Sequence, residues 1–256
     1  MNDSRTNIDR RRFCAIAGGA AAAAALITAC RFHNRPYPSD GRLASRPFKT
    51  GTFASSGEIR LGLDKERDAI LRIPKSASDA PIPLLLFLHG AGQSAEDMFE
   101  YLGSVPSETR VAVLAPNSRE ATWDAIGGSF GPDVEFIDEA LKRVFNLLPV
   151  DPNRLAVGGF SDGASYAISM GLINGDLFGR VLAFSPGFVI DGQPRGKPRF
   201  FISHGTRDHI LPIDLCGRKI AADLKDENYE VTFREFDGRH EVPADIALEG
   251  LKWVAN

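Results

Sequence analysis

Cysteine is scarce in this chain: Cys14, Cys30 and Cys216 are the only three in 256 residues. That is too few for a disulfide framework, so stability has to come from an apolar core. Basic excess is missing as well. The formal net charge is −3, which leaves no electrostatic footprint for nucleic acid. The uncharged run at residues 15–29 falls short of the ~20 residues that span a bilayer, which argues against a permanent transmembrane anchor. Internal repeats are absent, which sets aside solenoid architectures, and no insertion is long enough for a second domain. What is present is an ordinary globular composition, 43% hydrophobic and 25% charged, enough for one α/β domain.

The first 29 residues read as a leader. A basic head, "DRRRFC", precedes the mostly alanine run "AIAGGAAAAAALITA". Arg10-Arg11-Arg12-Phe13 resembles a twin-arginine export signal, with Asp9 where Ser or Thr is usual. "LITAC" resembles a lipobox, which implies cleavage before Cys30 and lipid attachment to it; cleavage without lipidation is the alternative. Residues 30–57 are rich in Pro, Ser and Gly and read as a tether. Its five basic residues (Arg31, Arg35, Arg42, Arg46 and Lys49) oppose Asp40, a balance suited to an anionic membrane surface or simply to a solvated linker. The folded domain is then residues 58–256, with Cys216 expected as a small buried apolar residue.

From Glu58 the pattern becomes regular. "EIRLGL" and "DAILRIP" alternate around the charged turn "DKER", as an antiparallel hairpin does. "PLLLFLHG", "RVAVLAP", "RLAVGGF", "RVLAFSP" and "RFFISHG" are continuous apolar runs, the mark of strands covered on both faces. "YEVTFREFDG" is a further strand. Helical spacing appears after Ser94, after Pro132, in "GASYAISMGLI", in "DLCGRKIAADLKDE" and in the tail "DIALEGLKWVA". Strands alternating with helices after an opening hairpin predict an α/β fold: a mostly parallel sheet with helices on both faces.

Two G-x-S-x-G patterns compete. Gly159-Phe160-Ser161-Asp162-Gly163 stands between a buried strand and a helix, where flanking glycines permit a sharp elbow. Gly127-Gly128-Ser129-Phe130-Gly131 lies in a loop with no strand before it. Ser161 is therefore the candidate nucleophile. A serine hydroxyl needs a base and an orienting carboxylate, both sought downstream. His33 falls in the tether, His89 and His204 end strands as "HG" and are expected to brace loops, and His209 follows Asp208. His240, in the "FDGRHEVP" loop before the last helix, is the candidate base. Asp208, just past a strand end, is the candidate acid. Asp214, a candidate helix cap, and Asp237, a candidate turn former, stand in reserve. His204, Asp208 and His209 match no common zinc spacing, so no metal or organic cofactor is expected.

The amide of Asp162 and that of Ala91, with Gly92 next, are the candidate oxyanion donors. Trp123 and Phe130 are candidates for the substrate wall, Trp123 also for the core.

"LLLFLHGAG", "GGFSDGAS", "SHGTRDHILP" and "DGRHEVP", in that order, resemble the α/β-hydrolase fold, and most closely the phospholipase/carboxylesterase family. "PDVEFIDEAL" with "VDPNRLAVGGFS" is also similar to the feruloyl-esterase and polyhydroxybutyrate-depolymerase group. Asp162 departs from the Gln, Ala or Asn usual after the nucleophile. The resemblance implies a serine hydrolase with no large lid, acting on a small-molecule carboxylic ester through Ser161, His240 and Asp208. Peptide or thioester cleavage by the same residues is an alternative, and so is an idle binding lipoprotein of the same fold.

Overall fold

The structure is a computed structural model, and it describes residues 40–48, 55–75 and 80–256. The leader and Cys30 lie outside the described residues.

One eight-stranded sheet organises the chain, with strand order β1-β2-β4-β3-β5-β6-β7-β8. β1 (Gly57–Arg60) and β2 (Ala69–Ile73) form the expected hairpin, with Arg60 opposite Ile70. β2 also runs antiparallel to β4 (Ala112–Pro116). Every remaining pairing is parallel: β4 with β3 (Ile82–Leu88), then β5 (Val150–Phe160), β6 (Arg180–Phe184), β7 (Arg199–Gly205) and β8 (Val231–Phe236).

The apolar runs are explained by this placement. Every residue of β3, β4 and β6 is buried, because helices cover both faces. Along β3 the side chains divide by period two: Leu84, Leu86 and Leu88 enter one core, Leu85 and Phe87 the other. α1 (Ala95–Leu102), the start of α2 (Val105–Thr109) and α7 (Ala244–Ala255) cover the Phe87 side. The Leu86 side takes α3 (Asp124–Gly127), α4 (Pro132–Leu147), α5 (Asp162–Ile173) and α6 (Gly217–Asp226). α4 begins at Pro132 and buries Val134, Ile137, Leu141, Val144 and Phe145, the predicted face. α1 starts with a capping box between Ser94 and Asp97.

Several features differ from expectation. α2 and α3 are too short for apolar periodicity to announce them. β5 starts at Val150 rather than near Arg154, through a register shift against Ile82–Leu84. Asp214 does not cap α6; Cys216 precedes the helix, and Asp214 pairs with Arg218 at 2.7 Å.

Residues 40–48, part of the stretch read as a tether, are docked on the domain. Leu43 is buried, and its amide donates to Asn174 Oδ1 at 2.9 Å. Asn174 Nδ2 returns a bond to the Gly41 carbonyl, and Asp138 Oδ1 accepts from the amides of Ala44 and Ser45. Arg42 and Arg46 both reach Asp176, whose carboxyl they hold well below the usual carboxylate range. The physical reason is polar capture by side chains some 90 to 135 positions away, which linker composition does not disclose.

Candidate active site

The C-terminal ends of β3, β5 and β7 and the loop after β8 converge on one place. At the end of β5 the chain turns into α5 within one residue, Ser161, which adopts φ 57° and ψ −122°. That left-handed backbone is strained for a residue with a Cβ, and the surroundings hold it. The Ser161 amide donates to the Phe184 carbonyl at 3.0 Å, and its carbonyl accepts from Ala164 and Ser165. The flanking glycines make the elbow possible, since a Cβ at Gly159 would strike Gly163 and one at Gly163 would strike the Leu88 carbonyl.

His240 Nε2 lies 2.9 Å from Ser161 Oγ, and its Nδ1 lies 2.7 Å from Asp208 Oδ2. An ionised carboxylate only accepts, so Nδ1 carries the proton and Nε2 offers its lone pair to the serine hydroxyl. Asp208 is buried, and its Oδ1 takes the amides of Ile210 at 2.9 Å and Leu211 at 2.8 Å. The Phe160 ring packs on the His240 ring with centroids 4.8 Å apart, limiting its swing. Three residues scattered over 80 positions thus form one hydrogen-bonded chain.

Ser129 is exposed in the loop after α3, and among the described residues no hydrogen bond joins it to a histidine. Asp237 is exposed and pairs with Arg207 at 2.8 Å. The rival serine and the two reserve carboxylates, Asp214 on Arg218 and Asp237 on Arg207, are therefore placed elsewhere.

The turn after β3 sits against Ser161: a Cβ at Gly90 would come within 3.3 Å of Ser161 Cβ. In that turn Gly92 N–H donates to the Ala121 carbonyl at 2.7 Å, which removes Gly92 as a free donor. Gly90 N–H goes to Gln93 Oε1 at 3.0 Å. Among the described residues, the amides of Ala91 and Asp162 donate to no protein acceptor. Asp162 opens α5, where the unpaired N–H groups carry partial positive charge.

His89 braces this turn. Its Nδ1–H donates to the Gly90 carbonyl at 2.8 Å and its Nε2 accepts the Ser118 amide at 2.9 Å. Burial pushes its pKa down, consistent with a neutral ring in those two roles.

Trp123 and Phe130 do not line a substrate wall. Trp123 is fully buried; its Nε1–H donates to the His89 carbonyl at 2.8 Å, and its ring packs against His89 and Tyr166. Phe130 is buried against Tyr166. An indole with its N–H satisfied inside is worth more to the core than to a solvent-facing cleft. The large apolar side chains exposed in the loop after Asp208 are instead Ile210, whose amide is bonded to Asp208, and Leu215, at 70% and 57% exposure. The signal for Ile210 in the sequence is the "HILP" run outside any strand or helix, whereas Leu215 reads as part of the following helix.

Two further contacts escaped the sequence reading. Thr122 Oγ1–H donates to Asp162 Oδ2 at 2.8 Å, and His204 Nε2 lies 3.2 Å from Asp208 Oδ2. Among the described residues no group of three His, Cys, Asp or Glu side chains is gathered to hold a metal ion.

A profile described as phospholipase/carboxylesterase matches residues 134–247, a little under half of the chain. A probable feruloyl esterase C from Aspergillus flavus is 27% identical over 158 residues, 58% of this chain and 57% of the relative. Acyl-protein thioesterase 1 from Emericella nidulans is 29% identical over 113 residues, 40% of this chain and 47% of the relative. The chain spans about half the length of the curated relatives it matches. Among solved structures, an S-formylglutathione hydrolase from Agrobacterium tumefaciens superposes with TM-score 0.60 at 18% identity, covering 74% of this chain and 89% of that one. A carboxylesterase from Bacillus cereus gives TM-score 0.57 at 21% identity, with 74% and 93% coverage. The chain has the α/β-hydrolase fold, and its residues 134–247 are similar to the phospholipase/carboxylesterase family.

Proposed function

We propose that the protein is a serine hydrolase that cleaves carboxylic ester bonds through an acyl-enzyme. The observation that carries this is the His240 ring, held between Ser161 Oγ at 2.9 Å and Asp208 Oδ2 at 2.7 Å. His240 takes the hydroxyl proton as Ser161 attacks the ester carbonyl. Asp208 stabilises the imidazolium that forms. The developing oxyanion is received by the amides of Ala91 and Asp162. His240 returns the proton to the leaving alcohol, then activates the water that frees the acid.

The relatives named feruloyl esterase support an oxygen-ester substrate. Those named acyl-protein thioesterase favour a second reading, a thioester taken by the same machinery. Matched oxygen-ester and thioester substrates with one acyl group separate the two by kcat/KM.

The decisive experiment is labelling with a fluorophosphonate alongside turnover of a short aryl ester. Ser161→Ala is expected to abolish labelling and lower turnover by about 10⁴–10⁶-fold, while Ser129→Ala changes neither. Full activity in Ser161→Ala rules the proposal out.

Export and lipid anchoring at Cys30 belong to the same proposal, supported by the "RRRF" and "LITAC" motifs. Cys30→Ser should then move the protein from the membrane fraction to the soluble one.

A further inference from the structure

His204 ends β7 beside the acid, and the ester mechanism leaves it without a role. Its side chain is fully buried. Nε2 lies 2.7 Å from the Leu211 carbonyl, a group that can only accept, so Nε2 carries the ring proton. Nδ1 is then bare; among the described residues it has no hydrogen-bond partner, and it faces Gly217, where a Cβ would crowd it.

The same Nε2 lies 3.2 Å from Asp208 Oδ2, the oxygen that also receives His240 Nδ1–H. Leu211 closes the figure. Its carbonyl takes the His204 proton, and its own amide donates to Asp208 Oδ1 at 2.8 Å. The ring therefore holds the 208–211 turn at its far end and the carboxylate at its near end.

We propose that His204 is a positioning residue, which fixes the Asp208 carboxylate towards His240 and tempers the charge that His240 feels. The proposal rests on the hydrolase reading above. Two consequences follow from removing the Nε2–H. The Leu211 carbonyl loses its partner, so the turn carrying Asp208 loosens and the aim of His240 degrades. Oδ2 also keeps more of its negative charge for His240, which raises the proton affinity of that imidazole.

Burial lowers the His204 pKa, so the ring stays neutral while His240 cycles. Arg207 and His209 flank Asp208, Arg239 and Glu241 flank His240, and Cys216 and Glu235 approach from neighbouring elements. Cys216, before α6, is pushed up by burial and by the Asp208 charge, which keeps its thiol protonated. Glu235 on β8 is held down by Arg218, which keeps it ionised. Exposed His209, next to Asp208 in the chain, is common to wild type and variants, so a difference between their pH profiles reports on the His204 ring, the Asp208 carboxylate and the His240 ring.

The test uses the full chain and 4-nitrophenyl acetate. His204→Phe keeps a ring and removes the donor; His204→Gln keeps an N–H donor. For His204→Phe, kcat should fall by about 10–100-fold with KM within about 3-fold. The acid limb of kcat/KM against pH should move upward by about 0.3–0.5 unit. His204→Gln should return the limb and most of kcat. An unmoved limb in His204→Phe, or a Gln variant as impaired as the Phe one, overturns the proposal. Nitrogen-15 NMR of the wild-type imidazoles decides even if His204→Phe does not fold. A His204 ring that stays in the Nε2–H form from pH 5 to 9 supports the proposal, and one that titrates or carries its proton on Nδ1 overturns it. Absence of any fluorophosphonate labelling in the wild type would instead defeat the hydrolase reading, a result independent of the NMR outcome.

Discussion

The Thr122 hydroxyl donates to the Asp162 carboxylate at 2.8 Å, so the loop after β4 is tied to the residue directly following Ser161, the proposed nucleophile. This places a carboxylate at the opening turn of α5, on the residue whose amide is assigned to the oxyanion. A negative group there opposes an anionic substrate more than a neutral one, with a strength set by screening. Asp162→Asn keeps an acceptor for Thr122 and removes the charge. The expected outcome is a rise of about 3–10-fold in kcat/KM for a 4-nitrophenyl hemisuccinate relative to 4-nitrophenyl acetate at low ionic strength. In 1 M salt the difference should shrink towards none. An unchanged ratio at low salt would mean that this charge is not felt at the scissile carbonyl.

Strain at Ser161 yields a stability prediction that runs against the usual ranking. Glycine ordinarily costs about 0.5–1 kcal/mol relative to alanine within a fold, because it loses more chain entropy. At φ 57° and ψ −122° the order should invert, since only glycine relieves the clash of the Cβ. Both Ser161→Gly and Ser161→Ala lose the hydroxyl, so their difference isolates the backbone. Urea unfolding should find the glycine variant more stable by about 1–2 kcal/mol. An alanine variant equal or superior to it would show that the elbow is not strained.

Asp133 gives the fold a pH dependence of definite sign. It is buried at the start of α4, where Oδ1 accepts the Arg119 amide at 2.6 Å and Oδ2 the Asp124 amide at 2.7 Å. Burial, reinforced by the Asp124 charge, pushes its pKa up to about 6. A group raised in the folded state binds more protons folded than unfolded between its two pKa values. Its contribution is therefore fully favourable below about pH 4 and is lost as pH rises through about 6. Replacing it with Asn removes that slope, although the lost acceptor lowers stability throughout. Denaturant midpoints at pH 4.5, 5.5 and 7 should show the wild type losing on the order of 1–3 kcal/mol relative to Asp133→Asn over that range. Parallel curves for the two proteins would contradict the shift.

The sequence disclosed what periodicity and chain order can carry. The β3 to β8 strands, the α4 face, the Ser161 elbow and the downstream Asp208 and His240 all follow from local pattern plus the geometry of strand ends. It did not disclose which way polar loops fold back. Trp123 and Phe130 looked like cleft residues because they lie in a glycine-rich loop, yet the indole N–H is spent on the His89 carbonyl and both rings are inside. Residues 40–48 looked like linker because the groups that hold them, Asp138, Asn174 and Asp176, are far along the chain. His204 was assigned to loop bracing, and its bond to Leu211 agrees, but its approach to Asp208 depends on a tight turn that spacing alone does not reveal.

Substrate preference should be set by the loop that follows the acid. Ile210 and Leu215 are exposed there, and Leu211 packs near Gly187 in the loop after β6. That second loop is pinned by α5: Ser165 Oγ accepts the Gly187 amide at 2.9 Å, and Ser169 Oγ accepts the Ile190 amide at 2.9 Å. Half-buried Phe188, Val189 and Ile190 continue the apolar surface. An acyl chain covering Ile210 would gain about 0.8 kcal/mol for each buried methylene, close to fourfold in affinity. Ile210→Ser should then leave kcat/KM for an acetate ester within about 2-fold and lower that for a hexanoate ester by about 5–20-fold. The loss should appear mainly in KM, because the contact is made equally by substrate and transition state. Equal losses on both esters would place the acyl chain elsewhere and assign Ile210 to the architecture of the Asp208 turn.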